Sequence, residues 1–306
     1  MEIQKLVPRG YCHGVVNAIK MIKQLDFSAK KQPIYLLGML IHNKKVNDFF
    51  ADQGITILHN PYRTRLELLD NIQEGTVIFT AHGVSDEVKD KAKDKNLDIV
   101  DTTCSDVTKS FDIIKTFIND GYHILYIGKK DHPESEAALA ISDKITLIES
   151  EDDLKDLPDY EKVALTNQTT MSFYDVYRIH QEALKHYENL YLIDEICDAT
   201  RARQDAVIHQ DDDNDLCIVV GDHLSNNTKK LAEVSIKEAG IPAIVIESIA
   251  DLTLEDLKDV KKVSITSGAS TPTKITNEVI NFLKIYDPDN PKTFNPSSNI
   301  TEKNVL

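Results

Sequence analysis

Cys12, Cys104 and Cys197 follow one another at intervals of 92 and 93 residues. Each comes after a short apolar run and before a helical pattern: IQKLVPRGYC then GVVNAIKMIKQL, LDIVDTTC then SDVTKSFDIIKTFI, LYLIDEIC then DATRARQDAV. Thiolates are soft ligands, and three at one point suit an iron–sulfur cluster. With three protein ligands to four irons, one iron stays open as a Lewis acid. Two plainer readings stand beside this one. Free cysteine is among the most buried residue types, so the three could be unrelated core residues; near-equal spacing at loop starts is not what core packing produces. Structural zinc normally shows C-x₂₋₄-C pairs on tight knuckles, and the chain has none. Cys217, inside the apolar run LCIVV, reads as a packed strand cysteine.

Other polar residues close similar runs. His42 ends IYLLGMLIHN, His82 sits in TVIFTAHGVS, and His132 and Glu134 end HILYIGKKDHPE. A histidine there is a satisfied surface residue or a hydrogen-bonding partner for phosphate. Glu134 is either a first-turn glutamate stabilised by a helix dipole or a general acid, its pKa raised by nearby negative charge. KVALTNQTT ends at Thr169 and Thr170, DLCIVVGDHLSNN at Ser225, Asn226 and Asn227, and KVSITSGAST at Ser270. These are ordinary capping residues or, together, a cradle for an oxyanion that needs no lysine-rich loop. His13, His59, His123, His180, His186, His209 and His223 are taken as structural or exposed.

The elements that carry these residues recur in register. From each cysteine the next polar cluster follows after 28–30 residues and the third after a further 37–45. The chain therefore reads as three similar small α/β units, each roughly β-α-β-α-β-α, with mostly parallel sheets around a pseudo-threefold axis and a central cluster. The expected boundaries are residues 1–96, 97–193 and 194–286, with Cys12, Cys104 and Cys197 in the opening loop of each. Val107, Phe111, Ile114 and Ile118 form one apolar helical face, as do Ile275, Val279, Phe282 and Leu283. In parallel sheets the strand-to-helix loops lie at the carboxyl ends of the strands, where ligands bind. Helix N-termini there favour thiolates and phosphate. Residues 287–306 are polar, Pro/Asn/Ser-rich and aperiodic, which predicts a disordered or loosely docked tail.

Composition narrows the function classes. The 306 residues carry 50 acidic against 35 basic side chains, a net charge of −15, so nucleic acid is not an expected partner. Apolar runs are only a few residues long, so no membrane span is expected, and the opening MEIQKLVPRG is strand-like rather than a signal sequence. Four widely spaced cysteines fit a reducing compartment, the cytoplasm, with metal or catalytic use.

Taken together, PRGYC-x-GV, the HN of LIHN, TAHGVS, DTTC, GKKDHPE, TNQTT, EIC-x-AT, VVGD-x-x-SNN and SGASTP resemble the 4-hydroxy-3-methylbut-2-enyl diphosphate reductase family across about residues 1–285. The resemblance implies the last enzyme of the methylerythritol phosphate route to isoprenoids. Such an enzyme is an oxygen-sensitive [4Fe–4S] oxidoreductase that turns an allylic alcohol diphosphate into isopentenyl and dimethylallyl diphosphates with two electrons and two protons. It further implies that Cys12, Cys104 and Cys197 ligate the cluster and that Glu134 donates the proton. His42, His82, His132, Ser225, Asn226, Asn227 and Ser270 surround the substrate, mostly its diphosphate, and Thr169 meets its hydroxyl. The implied electron donor is a small ferredoxin or flavodoxin; the number of subunits is left open. His13, Ser105 and Asn226 depart from residues common in the family, and none removes a reacting group. A non-catalytic iron–sulfur redox or oxygen sensor is the competing reading. It needs the three cysteines but not the histidines, Glu134 and the SNN cradle. A zinc-dependent hydrolase, the third, predicts zinc rather than iron.

Overall fold

The computed structural model describes residues 1–306, the side chain of Pro291 excepted. Short strands alternate with amphipathic helices, and all strand pairs are parallel. The first strand, β1 (Glu2–Lys5), is followed by β2 (Ile34–Leu37), β3 (Ile55–Leu58), β4 (Thr76–Phe79) and β5 (Asp98–Asp101). A second set comprises β6 (His123–Ile127), β7 (Ile145–Ile148), β8 (Val163–Asn167) and β9 (Tyr191–Leu192), and a third β10 (Leu216–Val220), β11 (Ala243–Ile246) and β12 (Lys262–Ser267). They form three four-stranded sheets, ordered β3-β2-β4-β5, β7-β6-β8-β9 and β11-β10-β12-β1.

The three orders are one order: edge, first, third, then the strand that leads into a cysteine. The central members are continuous apolar runs, and β4, β8 and β10 are buried along their whole length, as strands covered on both faces must be. Two observations differ from the sequence expectation. Each sheet has four strands rather than three, because the half-exposed edges ITIL, ITLI and AIVI are four-residue runs with no polar cluster to mark them. The strand before each cysteine pairs backward. β5 lies against β4, Phe79 opposite Asp101, and β1 closes the third sheet against β12, Lys5 opposite Ile265. A boundary at 96/97 thus cuts β5 from its own sheet, since a repeat period fixes the length of a unit and not its phase.

Of the two states expected for the tail, disordered or loosely docked, the contacts show a docked one. Phe294 sits edge-on to Phe282 and Tyr286, with centroids 5.4 and 5.7 Å away, and Val305 is buried. Its backbone is held by side chains, Lys45 Nζ donating to Ile300 O at 2.6 Å and Lys274 Nζ to Asn304 O at 2.7 Å. Polar composition hid this, because anchors from distant helices supply what the tail's own residues lack.

Ten α-helices occur among the described residues. They are α1 (His13–Lys23), α2 (Lys44–Asp52), then after the third short helix α3 (Arg65–Leu69) come α4 (Asp86–Asp94), α5 (Ser105–Asn119) and α6 (Pro133–Leu139). Next are α7 (Phe173–Ala183), α8 (Asp198–Ile208), α9 (Asn226–Lys237) and α10 (Thr273–Ile285). The predicted faces hold: Val107, Phe111 and Ile114 of α5 bury against Ile124 and Tyr126 of the second sheet, and Ile275, Val279, Phe282 and Leu283 of α10 are buried. By contact the chain divides into two compact units. Met1–His13, His42–Asp52 and Asp198–Leu306 form the terminal unit, with the third sheet; Gly14–Ile41 and Gln53–Cys197 form the central unit, with the first and second. Among the described residues no helix is long and apolar enough to cross a membrane.

Candidate active site

Every predicted site residue falls in a loop or first helical turn at the carboxyl end of a strand. His42, His132 and Ser225 follow the first strand of each sheet (β2, β6, β10), and His82, Thr169 and Ser270 follow the third (β4, β8, β12). Cys104, Cys197 and Cys12 follow the fourth (β5, β9, β1). The edge strands carry none. This is where an open parallel sheet presents its ligand-binding loops.

In the central unit the loops after β6 and β8 meet at Glu134. Pro133 opens α6 and its N-cap is His132, whose Nδ1 accepts the Glu134 N–H at 3.1 Å. Accepting that bond at Nδ1 leaves Nε2 as the ring's other hydrogen-bonding atom. Glu134 is 2% exposed. Its Oε1 accepts the Thr169 N–H at 2.7 Å and its Oε2 the Thr169 hydroxyl at 3.0 Å. Burial pushes the carboxyl up to about 7; the two bonds from Thr169 oppose this, and Asp106 adds to it. Near neutral pH the group therefore exists in both protonation states, the condition for a general acid.

Thr169 does more than hold Glu134. Its carbonyl accepts the Cys197 N–H at 3.1 Å, so one residue joins the carboxyl to a cysteine loop. Cys104 is the N-cap of α5 and donates its N–H to Ala81 O at 3.1 Å, which ties it to the loop of His82. The His82 ring stands edge-to-face on His132, centroids 5.5 Å apart, and its Nδ1 lies 3.3 Å from Thr80 Oγ1.

The terminal unit holds the remaining residues. Ser225 caps α9, its hydroxyl oxygen accepting the Thr228 N–H at 3.3 Å, and Asn226 and Asn227 are buried in the first turn. Asn227 is engaged within the protein, since its Oδ1 accepts the Ala269 N–H at 3.0 Å and its Nδ2 donates to Thr200 Oγ1 at 3.2 Å. The Ser270 hydroxyl donates to His42 O at 3.0 Å, joining the loops after β12 and β2. Cys12 immediately precedes α1, and its N–H donates to Ala269 O at 3.0 Å. The α9 first turn contains no acidic residue, so its positive dipole end favours an anion.

The donor chemistry fits a thiolate-held metal cluster. Cys12, Cys104 and Cys197 are half-buried thiols, each the residue before a helix. Cys217 is wholly buried in β10, and burial pushes its thiol up; it packs and does not ligate.

Sequence reasoning missed three supports. Gln168 accepts from Lys129 N at 3.1 Å and Ser135 Oγ at 3.3 Å and donates to Thr170 Oγ1 at 2.8 Å, knitting together the loops around Glu134; its place within TNQTT was the available signal. Buried Arg65 pairs with Glu136 of α6 at 3.0 Å, and buried Arg203 donates to Gly10 O at 2.6 Å. Neither of these lies in a motif.

The chain is similar to known proteins along nearly its whole length. The family model described as LytB protein matches residues 3–284. The chain is 49% identical over 310 residues to the 4-hydroxy-3-methylbut-2-enyl diphosphate reductase of Bacillus cytotoxicus, covering 100% of this chain and 98% of that one. Identity to the protein of the same name from Bacillus mycoides is also 49%, covering 100% and 97%. The solved E-1-hydroxy-2-methyl-but-2-enyl-4-diphosphate reductase from Plasmodium falciparum superposes with a TM-score of 0.85 at 28% identity, covering 99% of this chain and 96% of that one.

Proposed function

This chain belongs to the LytB protein family, and from that premise we propose how its residues divide the work of a 4-hydroxy-3-methylbut-2-enyl diphosphate reductase. The reaction takes the allylic alcohol diphosphate, two electrons and two protons to water and isopentenyl or dimethylallyl diphosphate, the last step of the methylerythritol phosphate route. The observation that carries the assignment is the buried Glu134, raised to about 7 and held by Thr169, the residue that also fixes the Cys197 loop.

Cys12, Cys104 and Cys197 are the ligands of a [4Fe–4S] cluster. When bound, that group supplies electrons one at a time and an open iron as Lewis acid. Glu134 holds the proton that makes the departing hydroxyl water, and loss of that proton leaves a carboxylate still fixed by two bonds from Thr169. Those two bonds orient the carboxyl, so the proton sits at one position rather than sampling several. The Thr169 hydroxyl is within reach of the same oxygen and steadies the substrate hydroxyl beside it. His132, its Nδ1 engaged by the Glu134 N–H, offers Nε2 toward the substrate. His82 braces that ring. Ser225, Asn226 and the α9 N-terminus bind diphosphate, while Asn227 and Ser270 set the spacing of the loops around it, and His42 completes the cradle.

The electron donor is a ferredoxin or flavodoxin, and the reducing environment that a thiolate cluster needs places the enzyme in the cytoplasm. Each α/β unit is best counted from the first strand of a sheet to the cysteine after its fourth. A sensor needs neither the Glu134–Thr169 pair nor an anion-binding turn, so it is not favoured.

The test is oxidation of a reduced viologen dye by anaerobically reconstituted protein, with and without 4-hydroxy-3-methylbut-2-enyl diphosphate. Substrate-dependent oxidation yielding both five-carbon diphosphates is expected. A cluster that forms but ignores the substrate would replace the reductase with the sensor.

A further inference from the structure

Arg203 lies in α8, six residues beyond Cys197, and is 3% exposed. Its Nη1 donates to Ala199 O, one turn back in the same helix, at 2.7 Å. Its Nη2 donates to Gly10 O at 2.6 Å across a sequence separation of 193 residues. Gly10 stands two residues before Cys12 and is held from the opposite side too, its N–H donating to Ser267 Oγ at 2.7 Å. Its φ is +78°, and a β-carbon there would lie 2.5 Å from Thr273 Oγ1, so the loop tolerates only glycine at this point. With the Cys12 N–H on Ala269 O at 3.0 Å, the loop is fixed by the end of β12 on one side and by a guanidinium on the other.

A planar guanidinium with two donors engaged is a rigid clamp, which a lysine cannot reproduce. It is also a positive charge in dry surroundings, where its effect on a nearby anion is larger than at the surface. We propose that Arg203 is the positioning residue for Cys12: it fixes the loop that presents this thiolate, and its buried charge offsets negative charge on the thiolate-held cluster. The proposal rests on Cys12 being a cluster ligand. Its plain competitor is an arginine that merely ties α8 to the third sheet and contributes to stability alone.

Full-length wild type, Arg203→Met and Arg203→Lys would be reconstituted anaerobically and compared by iron and acid-labile sulfide per chain, rate of cluster loss to a chelator, midpoint potential, and melting of the cluster-free protein. Loss of a residue that orients a ligand typically weakens metal binding by about 10- to 100-fold. Arg203→Met is therefore expected to lose its cluster at least about tenfold faster, with a more negative potential, because removing a positive charge disfavours the added electron. Arg203→Lys keeps the charge but not the fork, so its potential stays near wild type while its lability is intermediate. An Arg203→Met protein with lowered melting but wild-type lability and potential would overturn the proposal in favour of the competitor. If Arg203→Met does not fold, Arg203→Lys decides, and wild-type resistance to the chelator there removes the clamp. Failure of the wild type itself to take up iron would instead defeat the reading of the three cysteines.

Discussion

Helices α6 and α9 start from the same slot, each following the first strand of its sheet, yet they do opposite things with the same helix-end electrostatics. A helix N-terminus favours negative charge and by itself would hold a first-turn carboxylate ionised. At α6 the cap is an imidazole and the second residue is Glu134, so deeply buried that desolvation prevails and the carboxyl rises to about 7. At α9 the cap is a hydroxyl and the first turn is neutral amide, so the dipole remains available to an external anion. The slot supplies a field; the residues at the cap and the two positions after it decide whether the field opposes an internal acid or attracts a ligand.

If the two ends are specialised in this way, substitutions should separate proton chemistry from binding. The largest effect belongs to Glu134→Gln, which keeps the shape and loses the titrating proton. General acid catalysis contributes about 10²- to 10⁴-fold, so kcat should fall by that factor with KM little changed, measured by viologen oxidation under saturating substrate. A wild-type kcat would end the role of Glu134. The wild-type profile should show activity falling as pH rises through about 7, since only the protonated group donates, and that limb should vanish in the residual activity of the variant.

Asn226→Ala at the other helix should do the converse. A hydrogen bond to a charged group is worth about 1.5–3 kcal/mol, which corresponds to a KM raised roughly 10- to 100-fold, with the pH limb unmoved. A shifted limb in this variant would show that the anion cradle and the acid are not separate devices.

Thr169→Val sharpens the α6 side. The Thr169 hydroxyl bond lowers the Glu134 pKa against burial. Its removal should therefore move the limb to higher pH while kcat drops through lost orientation. The same linkage acts on stability. Between about pH 4.5 and 7 the folded protein holds a proton on Glu134 that the unfolded chain has released, so stability falls as pH rises through that window. Melting of the cluster-free protein across it should fall less steeply in Glu134→Gln than in wild type.

Much of this was legible in one sequence because parallel sheets concentrate chemistry at strand ends. All nine polar clusters lie where the apolar runs stop, and the cysteine period marks a true repeat. What escaped has physical reasons. The edge strands ITIL, ITLI and AIVI are short and half-exposed, and nothing in four residues distinguishes them from loop. The backward pairing of β5 and β1 is invisible to a period. The pairs Arg65–Glu136 and Arg203–Gly10 span 71 and 193 residues, and charge alone does not say which arginine is buried. For Glu134 the residue type and position were readable, but its raised pKa comes from burial that outweighs two opposing bonds from a loop 35 residues away.

The docked tail gives the smallest test, and it bears on the same division. Residues 294–306 attach within the terminal unit: Phe294 against α10, Val305 buried, Glu278 accepting from Ser298 Oγ and Asn299 N at 2.7 Å each, and Lys45 reaching Ile300. Both anchoring helices begin within three residues of the cradle, α2 after His42 and α10 after Ser270. A chain ending at Thr293 loses one fully buried valine and part of an aromatic cluster, about 2–4 kcal/mol by transfer and ring-packing values. Its melting temperature should drop by several degrees, roughly 2–4 °C per kcal/mol. The looser seats of α2 and α10 should raise KM by less than the loss of Asn226 does. The pH limb set by Glu134, which belongs to the central unit, should stay where it is. A limb that moved on truncation would mean that the acid feels the terminal unit after all, and that the two helix ends work as one device.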